Sequence, residues 1–496
     1  MMSPNHALPW HLSSTIINRS IVSIPTQAAT QAKETLVTRT KLSIKVSMSL
    51  KKILVLGSGM VARPCVEYLT GDTKNEVTVA CRTLSTAQAL ISGLPRTQAI
   101  SLDVSSVADL DSHIAAYDLV ISLVPYVYHA AVIKSAIKGK TNVVTTSYIS
   151  PAVRELEPAV KEAGIVVLNE VGLDPGIDHL YAIKTIDEVH ARGGKVKQFY
   201  SYCGGLPAPE CAGNPLFFKF SWSPRGSLLA QRNSASYLSE GKQVDVSAQD
   251  LMSVSKPYFV TDGYAFVAYP NRNSVPFREF YNIPEAETVI RGSLRYEGNP
   301  EFIQALVDLG WLDAGEKDWL KEGMTWAEIQ QKAIGAGDSN EGALISSIKE
   351  ICKFSNEADS DRIISGLRWM GLLSSEQAVL RGGNLLDTLC GQLEKLLSYQ
   401  PGERDLVMLQ HKFVVEWSDG KTDTLTSTLE LLGDPKGYSA MARSVGVTCG
   451  IATQLLLDGH PALNTTGVLA PYKKDICDPI REILEREGIK MVEKVL

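Results

Sequence analysis

At 496 residues, 44% apolar and 21% charged, the chain is long enough for about two to four domains and has the make-up of a globular enzyme. A net charge of −6 offers no basic face for a nucleic acid, and no run of about 18 uninterrupted apolar residues could span a membrane. The eight cysteines are scattered without a C-x-x-C pair, so we expect reduced thiols, a cytoplasmic location and no metal site.

Residues 1–47 set Arg19, Lys33, Arg39, Lys41 and Lys45 against one acid, Glu34, among many Ser and Thr. That composition resembles a transit peptide. Met48 precedes a point where a compact enzyme could begin, so we expect residues 1–47 to be a disordered extension, with an upstream start or a targeting role as the alternatives.

From Lys51 a short apolar strand, Ile53–Leu56, runs into Gly57-Ser58-Gly59-Met60-Val61-Ala62 and an amphipathic helix. In this G-x-G-x-x-A pattern Gly57 permits a tight turn, Gly59 leaves room for a pyrophosphate, and Ala62 lets the helix close on its strand. The helix N-terminus offers free N–H groups to the phosphates. At the end of the next strand, Val77–Cys81, NAD-specific proteins carry an acid for the ribose; Arg82 stands there instead. A guanidinium pairs with a 2′-phosphate, which predicts NADP(H).

Strands are further expected at Gln98–Leu102, Leu119–Leu123, Asn142–Thr146 and Ile165–Leu168, with helices such as Val107–Ala116 and Ala130–Lys138 between them. Such alternation predicts a parallel sheet covered on both faces. Its C-terminal strand ends bring Gly57, Arg82, Asp103, Ser122 with Pro125, and Thr146-Ser147-Tyr148 to one cofactor cleft. Asn169 to His179, dense in acids and glycines, reads as a crossover loop at that cleft.

A second unit starts with a helix from Ile177 to His190 and a strand, Lys197–Cys203, ending at Gly204-Gly205-Leu206-Pro207. Phe217–Trp222, Tyr264–Tyr269 and Thr288–Tyr296 read as further strands. Asp405–Trp417 and Thr422–Leu431, joined through Asp419-Gly420, form a hairpin. Residues 299–400 show helical spacing at Phe302–Leu309, Trp326–Ala333, Ala343–Lys353, Asp361–Met370 and Leu385–Leu397. In the tail, Ala440–Leu457 reads as a buried helix with Gly446 and Gly450 at close contacts, and Asp478-Pro479 as a helix start. The fold class is α/β: a Rossmann-like parallel sheet, a mixed-sheet substrate domain and an all-helical insertion. The expected division is 48–176 with 438–496 for the cofactor, 177–298 with 401–437 for substrate and dimerisation, and 299–400 for the helices.

Taken together, Leu56–Pro64, Val79–Thr83, Val144–Tyr148, Gly172–His179, Tyr202–Pro209 and Gly467–Pro471 resemble the NADP-dependent, glutamate-forming saccharopine dehydrogenases. The resemblance covers about 49–496, and Leu173-Asp174-Pro175-Gly176-Ile177-Asp178-His179 and Tyr202-Cys203-Gly204-Gly205-Leu206-Pro207-Ala208-Pro209 are its distinctive parts. It implies a reductive condensation in lysine biosynthesis by the aminoadipate route: the glutamate amine adds to aminoadipate semialdehyde, water leaves, and NADPH reduces the imine to saccharopine. It also implies a homodimer.

By the same resemblance the cofactor residues are Gly57, Ser58, Gly59, Met60, Val61, Cys81, Arg82, Thr83, Asp103, Val104, Ile121, Thr146, Ser147, Leu173, Asp174, Pro175 and Ser221. The substrate residues are Ser147, Tyr148, Asp174, Arg272, Ser293, Leu294 and Arg295. Saccharopine carries three carboxylates, and arginines such as Arg272 and Arg295 grip carboxylates bidentately. For proton transfer Tyr148, Asp174 and Cys203 are the candidates, while His129 and His179 read as structural. Rival readings are a polyamine-forming or NAD-dependent degradative enzyme on the same scaffold, and a non-catalytic NADPH-binding protein.

Overall fold

Runs of Ile, Leu and Val that bury on both faces need cover above and below, and a parallel sheet with helices on each side supplies it. A computed structural model describes residues 50–496; the extension expected over 1–47 lies outside them. The chain builds β1 (Lys51–Leu56), α1 (Ala62–Thr70), β2 (Asn75–Cys81), α2 (Leu84–Ile91), β3 (Thr97–Ser101), α3 (Val107–Ile114), β4 (Leu119–Ser122), α4 (His129–Gly139), β5 (Asn142–Thr145), α5 (Pro151–Arg154), α6 (Glu157–Ala163) and β6 (Val166–Leu168). All strand pairs here are parallel, in the order β3-β2-β1-β4-β5-β6. The order reverses between β1 and β4, so a crevice opens above their C-terminal ends.

Past the crossover loop, α7 (Ile177–Ala191) feeds β7 (Lys195–Pro207), the centre of a second sheet. α8 (Pro224–Ala230), β8 (Ala235–Ser239), β9 (Lys242–Val246), β10 (Lys256–Pro257), β11 (Phe266–Pro270), α9 (Phe277–Phe280) and β12 (Thr288–Tyr296) follow. Next come α10 (Asn299–Asp308), α11 (Trp326–Ile334), α12 (Glu341–Cys352), α13 (Glu357–Trp369) and α14 (Leu385–Leu396), then the hairpin β13 (Asp405–Glu416) and β14 (Thr422–Leu432). β12 runs parallel to β7 while β13 runs antiparallel to it, so the sheet is mixed. Side-chain caps start the helices where the chain enters them: a Thr325–Glu328 capping box on α11, and Asn340, Asn356 and Asn384 on α12, α13 and α14.

The tail adds α15 (Ala440–Leu457), β15 (Gly467–Leu469), α16 (Lys474–Arg486) and β16 (Val492–Val495). β15 joins the first sheet beside β6. α15 is long and apolar enough to cross a membrane, and 67% of it is buried here. It lies on α1 so closely that a Cβ on Gly446 would come 2.7 Å from the Val61 carbonyl oxygen.

Four details depart from the expected elements. Gly204-Gly205 does not end β7, which continues to Pro207; the glycines admit close neighbours, since a Cβ on Gly205 would meet Met441 at 2.4 Å. Phe217–Trp222 forms no strand. Its alternation has another cause: Leu216, Phe218 and Phe220 point into the helical core, and the Phe220 N–H donates to the Leu397 carbonyl at 3.0 Å. The helical layer therefore takes in residues from 216 to 252 as well as those after 299. α16 begins at Lys474, not at Asp478, with Pro479 inside its second turn, and β16 pairs with β14 at the edge of the second sheet rather than returning to the first.

Candidate active site

The glycine turn between β1 and α1 has the geometry its sequence demands. Gly57 has φ +108°, and a Cβ there would meet the Leu123 carbonyl oxygen at 2.7 Å, whereas a Cβ on Gly59 would meet nothing within 4 Å. The space over Gly59 and the N-terminus of α1 is thus open for a pyrophosphate. Beside it, Ser58 Oγ lies 3.0 Å from Thr86 Oγ1, and the Cys81 thiol donates to the Thr83 carbonyl oxygen at 3.0 Å. Although burial pushes that thiol up, the hydroxyls of Ser58 and Thr86 bring it below the ordinary cysteine value.

Arg82 is exposed at the tip of β2, near Asp103, whose carboxylate accepts from the Ser105 N–H at 2.9 Å and its hydroxyl at 2.8 Å. No acid neutralises Arg82 among the described residues in ion-pair range. The cradle therefore fits a dinucleotide with an extra phosphate on its adenosine ribose. Met60 is 52% exposed beside the turn, and Val61 and Val104 are half-buried. Ile121 is fully buried in the sheet, so its side chain belongs to the core.

A second cluster forms where the 169–179 loop meets the second sheet. Gly172 and Gly176 pinch this loop: Gly176 has φ +148°, and a Cβ on it would lie 2.1 Å from the Gly172 carbonyl oxygen. Leu173 and Pro175 are buried beneath the pinch, which turns Asp174 outward to Tyr148. Tyr148 donates to Asp174 Oδ1; Arg291 donates to that same oxygen at 2.9 Å, to the Tyr148 hydroxyl at 3.0 Å, and to Asp178. Arg291, Ser293 and Arg295 alternate along β12, so all three face this side of the sheet. Ser293 lies in register with Cys203 of β7. Leu294 points to the opposite face and is buried there.

The arginines differ in what they hold. Arg291 is bound to two acids. Arg295 is 6% exposed, yet its guanidinium donates only to the Leu294 carbonyl at 2.7 Å, and its Nε has no partner among the described residues. Arg272 is exposed, with its guanidinium 5.4 Å from the Tyr148 ring. A buried guanidinium without a carboxylate is costly, and the Phe218 and Tyr269 rings at 5.3 and 6.0 Å leave Arg295 able to take an anion.

Burial pushes Asp174 up, and Asp178 adds to this against the pull of Arg291 and Tyr148. Asp178, despite burial, is held down by His179, Arg291 and the Gly176 N–H. Two neighbouring carboxyls driven apart in this way favour a proton on Asp174 and a charge on Asp178. Burial also pushes the Tyr148 hydroxyl and the Cys203 thiol well up, so both stay protonated at neutral pH.

Buried histidines brace the cluster. His129 lies 2.8 Å from Ser122 Oγ and 2.9 Å from Ser147 Oγ, and burial lowers it to about 4. Thr146 packs against Gly172. His179 lies 2.9 Å from Glu170 Oε2 and 2.6 Å from the Tyr281 hydroxyl, while Glu170 also accepts from Tyr472 at 2.8 Å and the Ile149 N–H at 2.9 Å.

Of the residues expected in the pocket, Tyr148, Asp174, Cys203, Arg272, Ser293 and Arg295 come together. Ser221 lies beside Gly205 with its hydroxyl buried and unpartnered among the described residues. Sequence reasoning missed Asp178 and Arg291 as members, and Glu170 and His411 behind them. The signal was present for two: Asp178 is four residues from Asp174 in a loop pinched by Gly172 and Gly176, and Arg291 shares the strand alternation of Ser293 and Arg295. A surface cavity of about 610 Å³ between Tyr296, Gly298, Asp359 and Arg362 is lined by none of this cluster.

The fold and this pair of sites define a dinucleotide-binding protein with a polar, arginine-rich pocket beside its cofactor crevice. Residues 53–168 match the saccharopine dehydrogenase NADP binding domain, and residues 172–489 match the saccharopine dehydrogenase C-terminal domain. This chain belongs to the saccharopine dehydrogenase family. It is 54% identical over 447 residues to the NADP(+), L-glutamate-forming saccharopine dehydrogenase of Schizosaccharomyces pombe, covering 90% of this chain and 99% of that one. The solved structure of the apo L-Glu-forming saccharopine dehydrogenase from Saccharomyces cerevisiae superposes with a TM-score of 0.80 at 54% identity, covering 90% of this chain and all of the other. A homospermidine synthase from Legionella pneumophila shares the fold alone, at 10% identity and a TM-score of 0.53 over 90% of this chain and 91% of that one.

Proposed function

We propose that this chain is an NADP-dependent, L-glutamate-forming saccharopine dehydrogenase, joining glutamate to aminoadipate semialdehyde and reducing the imine to saccharopine, reversibly. The observation that carries this reading is Arg295, a buried guanidinium without an acid partner, set in one pocket with Tyr148, Asp174, Cys203 and the exposed Arg272. When bound, NADPH supplies the hydride. The chain's own residues do the rest. Arg272 and Arg295 hold substrate carboxylates. Asp174, its acidity weakened by burial, accepts the proton that the substrate amine must lose and returns it in the reverse direction. Tyr148 donates to Asp174 and fixes its orientation, Asp178 stays charged to hold Arg291, and Cys203 lines the pocket as a neutral thiol.

On the cofactor side, Ser58 to Val61 take the pyrophosphate, Cys81 to Thr83 the ribose phosphate, and Asp103 with Val104 the adenine. We place the reaction in the aminoadipate route of lysine biosynthesis, in the cytoplasm, and the working enzyme as a homodimer. Residues 48–176 with most of the tail are the cofactor half. Full-length protein incubated with saccharopine and NADP, followed at the NADPH absorbance band, tests the reading, with lysine, glutamate and spermidine precursors as controls. Turnover with saccharopine and NADP alone is expected; NADPH binding without it would sink the proposal.

A further inference from the structure

Saccharopine oxidation releases a proton. With amines written as ammonium groups, saccharopine, NADP+ and water become glutamate, semialdehyde, NADPH and one H+, so one proton leaves the pocket per turnover and one enters in the reductive direction. The second sheet offers it a route. Arg291, Ser201, His411, Ser427 and Glu493 are direct cross-strand partners on β12, β7, β13, β14 and β16. Direct partners present their side chains on one face, so these five form a single row across the sheet.

One end of the row is Arg291, bonded to Asp174 and Asp178. The other is Glu493, whose side chain is 41% exposed and accepts from Lys184 of α7 at 2.8 Å. Between them Ser201 is 2% exposed and His411 and Ser427 are 0% exposed. The Ser201 and Ser427 hydroxyls have no hydrogen-bond partner among the described residues, and the His411 ring meets only the Asp178 backbone, outside good hydrogen-bond geometry. Two residues away on the same strands and face stand Phe199, Phe413, Leu409 and Leu429, all buried and apolar. Three consecutive polar side chains in such a core are costly unless they bond to something, and cross-strand Cβ separations of about 5 Å are spanned by hydroxyl, imidazole and single water molecules.

The titratable and charged groups facing His411 are Asp178 and His179 from α7 and Arg291 from β12, with the rings of Phe199 and Phe413 beside it. Burial, opposed by Asp178, lowers His411 to about 4. Its imidazole is therefore neutral at working pH, with one N–H and one lone pair, able to accept a proton on one nitrogen as it releases one from the other. We propose that Ser201, His411 and Ser427 form a buried proton path that takes the proton of Asp174 by way of Asp178, charged at rest and so able to accept it and pass it on, to solvent at Glu493, while Arg291 keeps its own protons throughout. No bond other than N–H and O–H bonds changes along it. The path rests on the saccharopine dehydrogenase reading above.

The test uses full-length wild type, His411→Phe and Ser427→Ala. In His411→Phe we expect kcat for saccharopine oxidation to fall about a hundredfold, the low end of what positioned proton transfer contributes. The KM for saccharopine and the Kd for NADPH should stay within twofold. The D2O effect on kcat should grow, and the primary isotope effect of saccharopine deuterated at the oxidised carbon should shrink, because proton exit now limits turnover. Ser427→Ala, about three strands from the reacting carbon, should shift both isotope effects in the same directions by less. Wild-type kcat and isotope effects in the folded variants would overturn the path. So would a lower kcat with raised KM and unchanged isotope effects, which a purely structural role gives. If His411→Phe fails to fold, Ser427→Ala decides alone. Absence of saccharopine turnover in wild type would overturn the assigned reaction and the path with it, whereas wild-type-like variants overturn the path only.

Discussion

The cofactor cradle and the substrate pocket are built on opposite plans. The cradle comes mainly from neighbouring segments, Gly57 to Arg82 and Asp103, and its charged groups, Arg82 and Asp103, face solvent. The pocket gathers Tyr148, Asp174, Asp178, Cys203, Arg291 and Arg295 from segments up to more than a hundred residues apart, burying Asp178, Arg291 and Arg295 and leaving the other three only partly exposed. An exposed charge acts on its ligand and contributes little to the fold, while a buried charge must be neutralised by the fold before a ligand arrives. Substitutions in the two regions should therefore separate: in the cradle they change affinity alone, in the pocket they change stability and turnover together.

The largest effect should come from Arg291→Met. It leaves Asp174 and Asp178 buried side by side without their shared cation, and removing one partner of a buried ion pair costs about 3–5 kcal/mol. Urea unfolding should show a loss of that size, and NADPH binding to whatever remains folded should be unchanged. A loss under about 1 kcal/mol would mean the two acids share a proton instead.

Next in size, Asp174→Asn keeps the shape and removes the proton acceptor. Turnover should fall about a hundredfold, the low end for positioned acid–base groups, with the Kd for NADPH unchanged. The lower limb of the pH–rate profile should disappear in this variant; a limb that persists would transfer the role to another group.

Arg82→Ala sharpens the comparison from the other side. Losing one charge-assisted bond to the 2′-phosphate should weaken NADPH binding about tenfold while NADH binding and the unfolding midpoint hardly move. Equal losses for both cofactors would assign Arg82 to the fold rather than to the phosphate.

The same contrast sets what could be read from the sequence. The cradle was legible because each of its demands, the turn at Gly57, the open space at Gly59 and the cation at Arg82, is met within a few consecutive residues. β13 and β14 were legible for the same reason, through Asp419-Gly420 and their alternation. The pocket yielded its members only by resemblance, since nothing local says that Asp178 will meet Arg291. Phe217–Trp222 misled because alternation reports which side chains bury, not whether the backbone finds a ladder partner; here Phe218 and Phe220 bury against helices. Gly204-Gly205 misled because a glycine pair that admits Met441 looks like one that turns the chain.

The smallest effect should appear in acid stability, again only on the pocket side. Glu170 is buried, and burial alone would raise it, but His179, the Ile149 N–H and Tyr472 hold it below the ordinary glutamate value. Its folded pKa thus lies below its unfolded one. The stability it contributes is present in full above the unfolded value of about 4.3 and is lost as the pH falls through the folded one. Asp178 acts in the same direction, while Asp174, pushed up, opposes it by favouring the protonated folded state. Asp103 is also held low, by Ser105, but it lies in the open at the cradle, where solvent screens it. Urea midpoints measured from pH 6 down to pH 3 should therefore fall for wild type. They should fall less steeply for Glu170→Gln, which has no proton to take up at that position, and Asp103→Asn should keep the wild-type slope. If Asp103→Asn flattens the slope as much as Glu170→Gln does, acid sensitivity belongs to surface charge at large and the separation between the two regions fails.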